Sequence, residues 1–205
     1  MKGIISFLFL FVGTSSAAFA DWQFGLSVGY SPNYQVKMTG HGTSSGTPYF
    51  NDYNLEYDSS GEFGVDAWNT PQNAWGFISG VQIGSERKFK SGTINGLSIP
   101  TSVATPKYQT NFFYIGTAYR WENFYIPLAI VYGITKYTSA SPMDSIDIKN
   151  GIGAHLGVGW IIHDHFVIEY IGRAVTTELD LKSGSTSEKT TGTIGSAVLN
   201  FKYLF

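Results

Sequence analysis

Six ionisable residues, Asp66, Arg120, His155, Glu169, Arg173 and Lys202, fall on the polar phase of strand-like segments whose other face is apolar. In a strand alternate side chains share a face, so these six point into whatever the segments enclose. A charge held there must be paired or hydrated. The cluster is therefore either a set of cross-strand ion pairs filling the interior or the lining of a gate or narrow ion path. Glu169 and Lys202 are expected at similar depth on adjacent strands. Hydrolysis has less to work with: it needs a nucleophile beside a histidine base that an acid orients. His155, the in-strand histidine, is followed by Leu156 and Gly157. His163 and His165 flank Asp164 on a short turn without a third convergent ligand, so no metal site is expected. His41, in a Gly/Ser/Thr stretch, carries no signal. The chain reads as a non-enzyme without a cofactor.

Strands must position these residues, and eight segments alternate with period 2 between turn signals. The first carries Trp22, Phe24, Leu26, Val28 and Tyr30 on one face and Gln23, Gly25, Ser27 and Gly29 on the other. The second spans about 53–67 and is either continuous or broken by a turn at Asp58-Ser59-Ser60-Gly61. The third sets Trp75, Phe77, Val81 and Ile83 against Gly76, Ile78, Gly80 and Gln82. The fourth, about 108–121, is apolar on both faces, and Phe113, Ile115, Tyr119 and Trp121 are assigned outward. Phe124, Ile126, Leu128, Ile130, Tyr132 and Ile134 mark the fifth. In the sixth, Ile152, Ala154, Leu156, Val158 and Trp160 alternate with glycines and His155. The seventh opposes Phe166, Ile168 and Tyr170 to Val167, Glu169, Ile171 and Arg173. The eighth ends the chain on Phe201, Tyr203 and Phe205, in phase with Leu199 and Ala197. A water-soluble protein gains little from a final exposed phenylalanine, whereas a lipid-facing strand with an aromatic rim gains a great deal. Gln82 and Ser27 are assigned inward, where a polar substitution should be cheap.

Composition agrees. Aromatics make up 16% and charged residues 14% of 205 residues, with 24 glycines and no cysteine. Residues 1–20 read as a cleaved signal peptide: Met1-Lys2, an apolar run from Gly3 to Val12, and Ala18-Phe19-Ala20 before Asp21. Without that leader the net charge is −3, which argues against a nucleic-acid partner. No later apolar run reaches the roughly 18 residues of a membrane helix, so residues 21–205 must cross lipid as strands. That requires closure into a barrel, because an open edge leaves backbone groups unpaired. Connections near 69–74, 122–123 and 163–165 are short, while those near 36–52, 88–107, 136–150 and 176–192 are long and rich in Ser, Thr, Gly and Pro. The fold expected is an all-β, transmembrane, up-and-down antiparallel barrel of eight strands, with short periplasmic turns and long extracellular loops.

Gly153-Ala154-His155-Leu156-Gly157-Val158-Gly159-Trp160, the Glu169-Tyr170 pair and the ending Tyr203-Leu204-Phe205 resemble the small eight-stranded outer-membrane barrels of the OmpA/OmpX and opacity-protein type. That resemblance implies residence in the bacterial outer membrane among its lipids and lipopolysaccharide. It makes Phe201, Tyr203 and Phe205 the signal read by the barrel-assembly machinery. It also implies a structural or surface-interaction protein with a largely plugged lumen. The alternative is a narrow, porin-like path for small or hydrophobic solutes, and a lipid A-modifying enzyme stands behind both. The first long loop holds Tyr49, Phe50, Tyr53 and Tyr57, which are either contacts for a surface ligand or parts of an upper girdle.

Overall fold

A computed structural model describes residues 22–100, 106–138, 145–163 and 165–205. The expected leader and its cleavage site before Asp21, like Asp164, lie outside them. The strands are β1 (Gln23–Ser44), β2 (Thr47–Tyr57), β3 (Ser60–Asn69), β4 (Ala74–Gly84), β5 (Phe89–Ile94), β6 (Leu97–Ser98), β7 (Lys107–Trp121), β8 (Phe124–Thr138), β9 (Ser145–Ile162), β10 (Phe166–Ser183) and β11 (Thr186–Leu204). Eight of them, in the order β1-β3-β4-β7-β8-β9-β10-β11, close into a ring where β11 pairs back onto β1. Every pairing is antiparallel.

The outward phase follows the alternation read from the sequence. Phe24, Leu26 and Val28 on β1, Ile115 on β7, Leu128 and Ile130 on β8, Leu156 and Val158 on β9 and Phe201 on β11 are all exposed. Trp75, Trp121, Trp160, Phe166 and Phe205 cluster at the short-turn end, the aromatic girdle of a membrane barrel. The short turns bend through positive φ at Asn73, Glu122 and His163.

The long connections are a correction. Among the described residues they are mostly strand: β1 and β2 run to a hairpin turn at Ser45-Gly46, and β10 and β11 pair without a break up to Ser183 and Thr186. The second segment is neither continuous nor reversed. β2 and β3 lie end to end along β1, β2 against Tyr34–Ser44 and β3 against Gln23–Ser31, with the break at Asp58-Ser59. Thr39, Thr43, Thr176 and Thr191 face out of an extension in which Val36, Met38, Leu55, Leu179 and Ile194 are buried. Polarity thus inverts along the molecule: apolar outside in the lower half, apolar inside in the upper. On β1 the inversion coincides with a bulge. Tyr30 pairs with Leu199 but Asn33 with Ala197, so one extra residue around Pro32 shifts the inward phase from odd to even positions. Proline, which has no N–H to give a ladder, suits that place.

Above Gly133 and Gly151, β8 and β9 part. β8 continues against β7 and β9 against β10, and the Thr135 amide donates to Asn150 Oδ1 (2.8 Å).

Candidate functional site: the barrel lumen

The lumen is filled in layers, each built by inward residues of neighbouring strands. At the short-turn end Trp68 and Tyr125 pack edge to face, centroids 4.7 Å apart. Above them Lys202 Nζ lies 2.8 Å from Glu169 Oε1 and 3.1 Å from Asp66 Oδ2, and 5.1 Å from the centre of the Trp68 ring. Glu169 also accepts hydrogen bonds from Asn200 Nδ2 (2.9 Å) and the Tyr125 hydroxyl. The register explains the pairing: Glu169 sits opposite Asn200 and Lys202 opposite Val167, so the two ions are diagonal neighbours on β10 and β11. A Tyr114–His155 stack follows, 4.6 Å between ring centres.

A second ion cluster lies higher. Glu62 bridges two arginines, Oε1 to Arg87 Nη2 at 3.0 Å and Oε2 to Arg173 Nη2. Arg173 donates further to Gln82 Oε1 and to Ser196 Oγ (3.0 Å), and Arg87 to the Asp58 carbonyl (3.3 Å). Both guanidiniums lie over aromatic faces, Arg87 4.6 Å from the Tyr34 ring centre and Arg173 3.8 Å from that of Phe112. An aromatic cap closes the stack: Tyr57 packs against Tyr34, Phe89 and Tyr108, and Tyr108 against Tyr137.

Asp66, His155, Glu169, Arg173 and Lys202 are therefore buried inside the barrel, but not as one cluster: Asp66, Glu169 and Lys202 form the lower, Arg173 belongs to the upper, and His155 lies in the stack between them. Arg120 is a correction. It lies at the short-turn rim, where its Nε donates to the Glu122 carbonyl at 2.8 Å, because a side chain so near the strand end reaches the turn more easily than the interior. Glu62 and Arg87 escaped the sequence reading. Glu62 follows a stretch read as a possible turn, and Arg87 lies between two strands; the signal for Glu62 was its phase, four residues before Asp66. Gln82 is inward but no cheap site for change, since its carbonyl oxygen is a buried acceptor for Arg173.

The aromatic residues of the first long connection divide. Tyr57 is buried in the cap, neither a surface contact nor part of an outer girdle, and Phe50 is exposed with its ring 5.0 Å from His41. Tyr53 and Tyr49 donate their hydroxyls to Glu188, at 2.7 and 3.2 Å, and Asn51 Nδ2 lies 3.4 Å from it. Burial and the Glu188 carboxylate push both phenols above their ordinary range. On the outer face of the extension Lys149 and Lys189 reach Glu178 at 3.3 and 3.5 Å. These ammoniums hold the Glu178 carboxyl below the usual range, the Lys149 bond foremost. His165, at the last short turn, is engaged by the end of β11: Nδ1 lies 3.0 Å from the Leu204 carbonyl and the ring stacks on Tyr203.

Neither a protein-family model nor a curated relative matches the sequence. In fold the chain is similar to the outer membrane protein OprG from Pseudomonas aeruginosa, with a TM-score of 0.61 at 12% identity over 89% of this chain and 95% of that one. It is similar also to the outer membrane protein AlkL, solved in lipid bilayers: TM-score 0.60, 14% identity, 94% of each chain. The chain has the fold of the small outer-membrane β-barrels. Closure of the ring, the apolar outer belt and the aromatic girdle fit this barrel to span a lipid bilayer, as those outer-membrane proteins do, with its short turns at one face and its hairpin extension at the other.

Proposed function

We propose that this barrel is a closed outer-membrane protein, structural or surface-interacting, whose lumen is a plug and whose extension is its working face. The observation that carries the reading is the pair of buried ion clusters, Asp66–Lys202–Glu169 and Arg87–Glu62–Arg173, stacked across an interior that eight strands leave just wide enough for side chains to fill. Lipid and lipopolysaccharide surround the belt, and the terminal strand with Phe201, Tyr203 and Phe205 is the part presented to the assembly machinery. The exposed edge of Phe50 and the rim tyrosines supply contact chemistry for a surface ligand. Hydrolysis is not part of the reading: His155 is held by a Tyr114 stack, opposite Ala129 and Arg173 in the ladder. A second reading, passage of small or hydrophobic solutes, is favoured by the parting of β8 and β9 above Gly133 and Gly151.

Proteoliposomes holding the purified barrel separate the two. The closed reading expects no swelling in iso-osmotic sugars and no release of a trapped apolar dye beyond that of empty vesicles. Release scaling with protein would favour the second reading. Mass analysis of lipid A from cells expressing the barrel should show no lost or added group, and a change abolished by His155→Ala would establish an enzyme.

A further inference from the structure

The two clusters have opposite composition. The lower holds two carboxylates, Asp66 and Glu169, around one ammonium, and the upper two guanidiniums, Arg87 and Arg173, around one carboxylate. In each, the minority ion sits in a cradle made for its charge. The Lys202 ammonium has a carboxylate oxygen at 2.8 Å and another at 3.1 Å, with the face of Trp68 beside it, the set of acceptors that binds a free ammonium. The Glu62 carboxylate has a guanidinium on each oxygen, and those guanidiniums are in turn aimed by Ser196, Gln82 and the Asp58 carbonyl, the fork geometry that binds a free carboxylate.

We propose that the lumen contains two ion-binding sites of opposite sign, a lower one for a small primary ammonium and an upper one for a small carboxylate. In the resting barrel each is occupied by an ion tethered to the chain, Lys202 in the one and Glu62 in the other. The inference rests on the closed-lumen reading, since the tethered ions are what close the interior. It goes further in assigning each level its own ligand. With every group ionised the lower cluster carries one surplus negative charge and the upper one surplus positive charge. The lumen as a whole is balanced, and each end is selective. The Tyr114–His155 stack connects them: Asp66 and Tyr114 both lie opposite Gly80, and His155 lies opposite Arg173.

Chemical rescue tests this directly. The full mature barrel carrying Lys202→Ala, and separately Glu62→Ala, is refolded into vesicles with methylammonium chloride or with sodium formate. Thermal unfolding is followed by the mobility shift between folded and heated protein. Lys202→Ala should be stabilised saturably by methylammonium and not by formate; Glu62→Ala should be stabilised by formate and not by methylammonium. The double variant Asp66→Asn/Lys202→Ala, with one carboxylate fewer, should need a severalfold higher methylammonium concentration for the same shift. Rescue irrespective of the sign of the ion, or no rescue in variants that fold, would overturn the proposal. So would failure of either variant to fold with or without its matching ion. Leakage by the wild-type barrel would count against the closed lumen instead, leaving sign-specific rescue as a separate result.

Discussion

Lys202 shows what the interior asks of a single residue. Buried away from water, its ammonium is tolerable only because two carboxylates share it, and each carboxylate is tolerable only because of the ammonium. Removing it leaves two like charges facing each other in a buried interior. Lys202→Met is therefore expected to lower unfolding stability in lipid vesicles by about 3–5 kcal/mol, the usual cost of breaking a buried pair. Arg120→Gln, at the rim, should stay within roughly 0.5 kcal/mol. A urea titration followed by tryptophan fluorescence compares them, and equal losses would contradict the layered lumen. Much of this was legible in the sequence, because side-chain phase alone sends Asp66, Glu169 and Lys202 to one interior. The separation of Arg173 into a second cluster was not. It depends on strand stagger and on Glu62 and Arg87, which sit where alternation is broken.

At the scale of the strand, one outer face has two solvents. Leu128 meets lipid in the middle of β8, whereas Thr191 faces out of β11 in the polar extension. An arginine at the first should cost about 2–4 kcal/mol, as a cation does at mid-bilayer. Thr191→Arg should be nearly neutral. Refolding free energies in lipid measure both, and similar penalties would mean that the belt and extension are wrongly divided. Alternation gave the belt correctly because lipid enforces it on every strand. It missed the extension because polar residues in a long connection look like loop unless their inward partners, Val36 with Met38 or Leu179 with Ile194, are read as a core. The Glu178 cluster on that outer face has its own pH dependence. Its carboxyl is held low by Lys149, so what it contributes is present above the ordinary carboxylate range and is lost as pH falls through the lowered value. Because the pair is exposed, high salt should erase the difference between wild type and Glu178→Gln in thermal unfolding.

For the whole molecule the decisive event is closure of β11 onto β1. The last residues pin both sides of β11: the Phe205 amide donates to the Phe24 carbonyl at the seam (2.8 Å), the Leu204 amide donates to the His165 carbonyl on the β10 side (2.7 Å), and the Phe205 ring packs on Tyr203. Phe205→Asp would set a charge in the girdle at the point where the ring shuts. The heat-modifiable, membrane-embedded form should fall severalfold relative to total protein, and an unchanged yield would make the terminal pattern incidental. Once shut, the ring encloses an interior occupied from the Trp68–Tyr125 floor to the Tyr57–Tyr108 cap. Single-channel recording of the purified wild-type barrel in planar lipid bilayers tests that closure most directly. The account predicts a silent membrane with at most brief, small openings. Sustained conductance of porin size from correctly folded protein would contradict it.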